Sequence, residues 1–412
     1  MIVKSKTRVA ATIITAALGY FVDIYDLILF NVVRQSSLLA IGVSPDNLLG
    51  TGVALLNMQM GGMLVGGILW GILGDKRGRV SVLFGSIFLY SLANILNAYV
   101  TTVEVYAFLR FIAGVGLAGE LGAAITLVSE IMSKENRGYG TTIVAAFGIC
   151  GAILAALVAG TFDWKVAYIV GGLMGFALLG LRWGIYESGM FNQIKQTESV
   201  KRGDPFLLLK NRELFLRYLN CILIGVPIWF VIGILVAFSP EFALAMKISE
   251  KINAGTSIMY CYIGLALGDL ASGFLSQYIR SRRKVVLYFL VLTTLLTTIF
   301  LFWGDIVAID KLGASQIYGL CGLLGFATGY WAIFVTVASE QFGTNIRATV
   351  TTTVPNFVRG SVVPVSSSFK VLAGEVGVVQ SGLVVGSVVL AIAFLGLFGL
   401  KETFGKDLDY LE

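Results

Sequence analysis

The 412-residue sequence contains no histidine and few charged residues. Asp, Glu, Lys and Arg make up 13% of the chain, against about 25% in a soluble globular domain. Without histidine, proton exchange near neutral pH falls to carboxyl groups, with Tyr, Lys or Cys as weaker alternatives. The chain also lacks a Walker-type nucleotide loop and a soluble domain that could house chemistry, so we expect neither an enzyme nor a metal or cofactor site.

Cysteine is scarce as well. The four cysteines, Cys150, Cys221, Cys261 and Cys321, all fall within apolar runs. We therefore interpret them as small packing residues rather than as a disulfide framework.

Long apolar runs are what the chain has instead, with 57% hydrophobic residues and a mean hydropathy of +0.86. Runs of about 20 residues cross the hydrocarbon core as helices, so we predict an all-α polytopic membrane protein. Twelve transmembrane helices are predicted at about residues 9–33, 47–73, 80–99, 103–132, 139–162, 164–186, 213–238, 252–279, 285–304, 314–342, 346–370 and 377–400.

A polar segment divides these helices into two sets of six. Residues 187–212 are rich in Lys, Arg and Gln and read as a linker between an N-terminal bundle, 1–186, and a C-terminal bundle, 213–412. Most of the 30 Lys and Arg residues fall in the linker, the termini and the loops on their side. By the positive-inside rule both termini and the linker are predicted to be cytoplasmic, in a bacterial inner membrane.

The two sets look like duplicates of each other. An offset of 210 residues takes Glu130 to Glu340 and Arg137 to Arg347, and it aligns the following "TTIVAAF" with "TTTVPNF". Parallel six-helix repeats are typical of transporters that rock two bundles around a site near the membrane midplane.

The loop after the second predicted helix, "GILGDKRGRVSVL", resembles the signature loop of the major facilitator superfamily. Gly71 permits close helix approach there, and Asp75 and Arg79 are expected to pair across helix ends and hold the cytoplasmic side closed. The second half carries only a partial copy, "GFLSQYIRSRRKV", with Gln277 in place of the aspartate.

Three further segments resemble one branch of that superfamily, the metabolite:proton symporters. They are "GYFVDIYD" in the first helix, "RFIAGVGLAGE" in the fourth and "EQFGTNIRAT" after the tenth; the first is also similar to a motif of aromatic-acid:proton symporters. The resemblance implies the two-bundle major facilitator fold and proton-driven symport of small organic anions or zwitterions.

Buried acidic residues are the candidates for proton coupling. Asp23 and Asp26 lie three residues apart on one helix and are both expected to face the central cavity. Two neighbouring carboxylates are costly to ionise together in a low dielectric, so one of them is expected to exchange a proton. Asp26 also lies at the same depth as Arg110, and the alternative is that this pair only holds two helices together. Glu120 is a second candidate proton site, with helix packing as its alternative role.

Arg359 is the leading candidate for binding substrate, because it lies near the membrane centre while its counterpart in the first half is Ile149. Repeat symmetry therefore does not require this charge, and its planar guanidinium suits a carboxylate or phosphate. The alternative is an internal partner such as Asp269 or a carboxylate of the first half. Arg110 and several polar or aromatic residues complete the predicted pocket: Tyr25, Asn57, Gln59, Trp229, Tyr330, Trp331 and Asn356.

Charged residues at the cytoplasmic helix ends are predicted to act in gating, with topology anchoring as the alternative for the arginines. They are Asp75, Arg79, Glu130, Arg137, Glu340 and Arg347. The prediction as a whole is a monomeric, proton-coupled symporter of a small organic anion, with no nucleic-acid partner and a rocker-switch mechanism. An efflux antiporter for amphipathic compounds and a transporter-like receptor are the alternatives.

Overall fold

A computed structural model describes residues 6–44, 47–132, 137–181, 211–248, 250, 252–306, 313–407, 409–410 and 412. These residues are almost entirely helical, and no strand occurs among them. The predicted linker 187–212 lies outside the described part of the chain except for its last two residues.

The first six spans form one group, the first bundle. Spans one to three are single helices, and spans four and five are each interrupted once. Their bounds are Lys6–Ala40 (one), Leu48–Arg77 (two), Arg79–Asn97 (three), Val103–Leu117 with Glu120–Ile131 (four), Arg137–Ile149 with Gly151–Thr161 (five) and Trp164–Leu181 (six).

The last six spans form the second bundle and are more irregular. Span seven passes into a π-helical stretch at Val231–Val236, and short helices at Ser239–Ala245 and Trp303–Ile306 follow spans seven and nine. The spans are Arg212–Leu223 with Val226–Phe230 and Val231–Val236 (seven), Ala254–Ile279 (eight), Arg282–Leu301 (nine), Ala314–Ala327 with Trp331–Gln341 (ten), Arg347–Gly360 with Val362–Val376 (eleven) and Val378–Phe398 (twelve).

Within the described part of the chain, eleven helical stretches are long and apolar enough to cross a membrane, and span eleven is the exception. Its first helix carries Arg347, Arg359 and a run of threonines. Nearly all of this helix is buried, so its polar side chains face protein rather than lipid. The architecture agrees with the predicted twelve-helix, two-bundle fold.

The two bundles meet along spans two, four and five of the first and spans eight, ten and eleven of the second. Polar side chains join them there: Thr141 and Thr336 lie 3.0 Å apart through their hydroxyls, and Asn356 Nδ2 donates to the Ala118 carbonyl at 2.9 Å. Span two and span eleven approach so closely that a Cβ at Gly71 would lie 2.8 Å from the Thr349 Cα. Only glycine permits this crossing.

The C-terminal tail, residues 399–412, packs against the second bundle near the start of span eleven. The Thr344 N–H donates to the Tyr410 carbonyl at 2.9 Å, and Glu402 accepts from the N–H of Arg282 at 2.9 Å. Burial alone raises the pKa of Glu402, but hydrogen bonds from Ser281 and from backbone N–H groups outweigh it and hold the pKa below its usual value. We call this side of the molecule the tail side.

Candidate functional site: a cavity between the bundles

A narrow cavity lies between the two bundles, with about 260 Å³ of space not filled by atoms. Its wall is mostly apolar and aromatic and contains one charged residue, Arg359. The first bundle supplies Tyr20, Ile24 and Ile149, and the second supplies Ile228, Trp229, Ile232, Tyr262, Leu265, Trp331 and Arg359. Because six different spans contribute to this wall, a movement of one bundle against the other changes its shape.

Arg359 lies in the last turn of the first helix of span eleven and is 1% exposed. Its Nη1 donates to Asn356 Oδ1 at 3.5 Å, and its guanidinium carbon lies 5.4 Å from the centre of the Trp331 ring. Within the described residues, Nε and Nη2 donate no hydrogen bond. The guanidinium thus offers unused donors at the cavity wall, where an anion can be bound.

Asp23 is the acidic partner of Arg359. Its Oδ2 lies 4.0 Å from Arg359 Nη2, and both side chains are buried. This contact joins span one of the first bundle to span eleven of the second. Two internal partners were considered for Arg359, Asp269 and a carboxylate of the first half. The acid that lies near its guanidinium is Asp23 of the first half.

Asp26 has different neighbours from Asp23, although the two residues are only three apart. It is fully buried inside the first bundle, next to Gly171, where a Cβ would lie 2.3 Å from Asp26 Oδ1. Residues three apart on a helix diverge by about 60°, which is enough to direct the two carboxylates to different helices. The expectation that both face one cavity is therefore not met, because neither side chain is part of the cavity wall and only Asp23 contacts a residue that is.

Arg110 forms a polar cluster inside the first bundle. Its Nη2 donates to Asn94 Oδ1 at 3.1 Å and its Nη1 to Gln59 Oε1 at 3.5 Å, while the rings of Phe30 and Tyr168 lie 5.7 and 5.3 Å from the guanidinium carbon. Asp26 interacts electrostatically with Arg110 and lies next to the Asn94 side chain, which also interacts with its carboxylate. The predicted Asp26–Arg110 pair is thus indirect, with Asn94 beside both groups.

Glu120 is fully buried at the start of the second helix of span four. The chain breaks there at Ala118 and Gly119, and Asn356 of span eleven donates to the Ala118 carbonyl. Glu120 does not line the cavity. Its role in proton exchange stays a prediction.

The other predicted pocket residues divide into cavity-lining and structural groups. Trp229 and Trp331 line the cavity. The Nε1–H of Trp229 lacks a hydrogen-bond acceptor within the described residues, whereas the side chain of Trp331 interacts with the Tyr20 hydroxyl. By contrast, the hydroxyl of Tyr25 donates to the Ala167 carbonyl at 2.9 Å, and that of Tyr330 donates to the Ile224 carbonyl at 2.8 Å. These two tyrosines tie helices together inside their own bundles.

Asn57 does not belong to this group. It lies on an exposed stripe of span two that includes Met58 and Val65, whereas Gln59 is fully buried. Residues two apart on a helix are about 200° apart, so Asn57 and Gln59 cannot both face inward. Placing both in one pocket was an error of helical geometry.

Asp75 is the predicted gating residue with the clearest contacts. Its carboxylate accepts from the N–H of Ala348 at 3.0 Å and from the N–H and the hydroxyl of Thr349 at 2.8 and 2.7 Å. Asp75 thus caps the start of span eleven from the opposite bundle, where a negative charge is favoured by the helix dipole. Asp75 therefore joins the two bundles on the tail side, and its gating role stays a prediction.

The remaining gating residues lie within one bundle or outside the described part. Arg282 Nη2 lies 3.5 Å from Glu340 Oε1, and Arg347 donates to the Ser339 and Phe342 carbonyls and to Thr344. The ion pair joins spans nine and ten, and the Arg347 contacts fix the turn between spans ten and eleven. The side chains of Arg79, Glu130 and Arg137 lie outside the described part of the structure.

Tyr20, Tyr262 and Asn94 were not predicted as site residues. Tyr20 is fully buried at the cavity wall and interacts electrostatically with Arg359, Asp23 and Asp269. Its position three residues before Asp23 was a usable signal. The sequence holds no comparable signal for Tyr262 or Asn94.

Two helical bundles around a cavity with a single buried arginine are the architecture of a membrane transporter rather than of an enzyme. A family profile matches residues 16–362, and the chain belongs to the Major Facilitator Superfamily.

Two curated relatives and one solved structure illustrate its relationships. The niacin transporter NiaP of Acinetobacter baylyi is 25% identical over 84% of both chains. The 3-(3-hydroxy-phenyl)propionate transporter of Escherichia coli is 28% identical over 72% of this chain and 73% of its own. Among solved structures, the proton:xylose symporter XylE superposes with a TM-score of 0.76 at 16% identity, over 98% of both chains, which supports the fold alone.

Proposed function

We propose that this transporter is a proton-coupled symporter of a small organic anion. The observation that carries the proposal is the position of Arg359, at the wall of an apolar and aromatic cavity, with unused donors and with Asp23 beside it. Bundle rocking exposes the cavity to either side of the membrane in turn.

An anionic substrate explains why Arg359 is present at all. Its counterpart, Ile149, lines the same cavity, so a site of this shape does not need a charge to hold its fold. The indole N–H of Trp229 adds a donor to the same wall. Rings and isoleucines on the other walls suit a flat apolar body, so an aromatic carboxylate is favoured; two of the relatives are named for niacin and for a phenylpropionate.

Proton coupling follows from the competition of two anions for one guanidinium. When Asp23 is ionised it neutralises Arg359, and a substrate carboxylate must displace it. When Asp23 is protonated, Arg359 is free to bind the substrate, so proton and anion load together. Asp26 and Glu120 are proposed to have secondary parts, because neither contacts Arg359 within the described residues.

The tail side is proposed to be cytoplasmic, from the excess of Lys and Arg on the predicted loops of that side. Asp75 then closes the inner gate, and residues 1–186 and 213–412 are the two moving bodies, joined by the linker 187–212. The bacterial relatives favour an inner-membrane location and the cavity is complete within one chain, so a monomer is proposed.

Purified protein in proteoliposomes tests the function directly. With an acidic exterior and a neutral lumen, we expect accumulation of radiolabelled nicotinate, benzoate or 3-(3-hydroxyphenyl)propionate above the level in protein-free vesicles. Arg359→Gln should abolish it, whereas Arg217→Gln, which removes an arginine outside the cavity wall, should not. Unchanged uptake by Arg359→Gln contradicts the substrate site, and saturable binding without accumulation supports a receptor.

A further inference from the structure

Span ten is interrupted next to the cavity, and an acid from another span binds the point where it resumes. The second helix, Trp331–Gln341, begins after Thr328–Tyr330, and its N-cap residue, Tyr330, provides no side-chain cap. Instead, Asp269 of span eight accepts from the N–H of Ala332 at 3.0 Å, and the N–H of Trp331 also interacts with its carboxylate. Asp269 is fully buried, and its second oxygen accepts no hydrogen bond within the described residues.

Close backbone contact makes this cap possible. A Cβ at Gly329 would lie 2.4 Å from the Gly268 Cα and 2.6 Å from the Asp269 nitrogen. Spans eight and ten therefore cross without intervening side chains, and the short side chain of Asp269 reaches the helix start. A larger residue at position 329 would separate the two spans.

The fold does not require an acid at this position. The 210-residue offset relates Asp269 to Gln59 and Gly329 to Gly119, so the first bundle has the same interruption in span four with an amide at the position of Asp269. The acid near that interruption, Glu120, lies on the resuming helix itself. There, Gln59 accepts from Arg110. A charge present at position 269 but not at position 59, its equivalent in the repeat, indicates a task specific to the second bundle.

We propose that Asp269 is a positioning residue for transport, which holds the indole of Trp331 against Arg359 by fixing the start of the second helix of span ten. This inference rests on the proposed function of the cavity. Trp331 is the first residue of that helix, and its ring lies 5.4 Å from the guanidinium carbon of Arg359. The ring thereby orients the cation that the substrate and Asp23 share.

The fluorescence of Trp331 tests the proposal without any substrate. Its contribution is the difference between the spectra of Trp331 and Trp331→Phe proteins, measured in wild-type, Asp269→Ala, Asp269→Asn and Ser272→Ala backgrounds. We expect Asp269→Ala to shift this difference spectrum and Asp269→Asn to leave it unchanged, because an asparagine oxygen can still accept from Ala332. Ser272→Ala, one turn away on span eight, is the control and should also have no effect. A Trp331 spectrum insensitive to Asp269→Ala overturns the proposal.

A double-mutant cycle on nicotinate uptake gives the transport readout. Asp269→Ala and Trp331→Phe should each raise KM by about tenfold, and the double variant should raise it no further, because the two changes break one interaction. If the two effects are independent, the double variant should raise KM by about a hundredfold. That result contradicts a role exercised through Trp331. If Asp269→Ala does not fold, Asp269→Ser replaces it in both experiments. Absence of any wild-type uptake counts against the proposed function, while the fluorescence result still decides the role of Asp269.

Discussion

Asp23 and Arg359 form a charge contact between the bundles at the cavity, and their burial makes both charges consequential. Removing one member of a buried pair typically costs about 3–5 kcal/mol, because the other charge is left uncompensated. In the proposed mechanism a substrate anion avoids that cost by replacing Asp23 as the partner of Arg359. This proposed exchange would link the protonation state of Asp23 to substrate binding.

Asp23→Asn tests this link, because asparagine imitates the protonated acid. We expect the variant to exchange nicotinate across the membrane in counterflow, but to lose accumulation driven by a pH gradient and to bind with little dependence on pH. Asp26→Asn, inside the first bundle, should retain pH-dependent binding. Gradient-driven accumulation by Asp23→Asn at the wild-type level contradicts the coupling role.

For individual residues, the sequence predicted which charged side chains are buried in the spans better than it predicted their contact partners. Asp23, Arg110 and Arg359 stood out because ionised residues are costly in membrane spans, and all three are buried. The contact between Asp23 and Arg359 depends on how span one packs against span eleven, which helical spacing cannot specify. Asn57 was misplaced because composition, rather than helical angle, was used to choose it.

Among the elements, span eleven links the site to the gate. It carries Arg359 at the end of its first helix and receives Asp75 at the start. If the tail side opens during transport, as proposed, the Asp75 cap must break, and a cap of this kind contributes about 0.5–2 kcal/mol.

Asp75→Asn should shift the population toward a tail side that is open, because it removes the charge that favours the helix start. A cysteine at position 352, in a chain without its four native cysteines, is buried against Gly122 and reports this opening through its rate of maleimide labelling. We expect the rate to rise about threefold to tenfold. Asp163→Asn is the matched control, since Asp163 accepts from Lys165 N–H at the start of span six within one bundle. Equal labelling in both variants contradicts a gating role for Asp75.

Hydropathy predicted the elements well and their interruptions poorly. The breaks at Ala118–Gly119 and Thr328–Tyr330 contain no proline and lie within apolar runs. Each contains one glycine, but glycine is frequent in transmembrane helices, so it did not distinguish the breaks from continuous helix. They become visible only through tertiary contacts, such as Asn356 with the Ala118 carbonyl and Asp269 with Ala332. The first break lies where span four meets span eleven of the other bundle. The second lies where spans eight and ten cross within the second bundle.

For the whole molecule, the repeat explains both the symmetry and the exceptions to it. Duplication predicted two bundles of six, and the structure has the corresponding twelve-span fold. The positions where the copies differ, Arg359 against Ile149 and Asp269 against Gln59, include the charges on which the proposed chemistry depends. The charge proposed to bind substrate thus belongs to the second bundle, and the acid proposed to carry the proton belongs to the first.

Proton movement during substrate entry is the most direct measure of the central claim, that one cation serves a protonatable acid and an organic anion in turn. Proteoliposomes containing a pH-sensitive dye receive external nicotinate at equal pH on both sides, with protein-free and Arg359→Gln vesicles as controls. We predict that the lumen acidifies as nicotinate enters and that neither control matches this change. Nicotinate entry without acidification, or with alkalinisation of the lumen, contradicts the account.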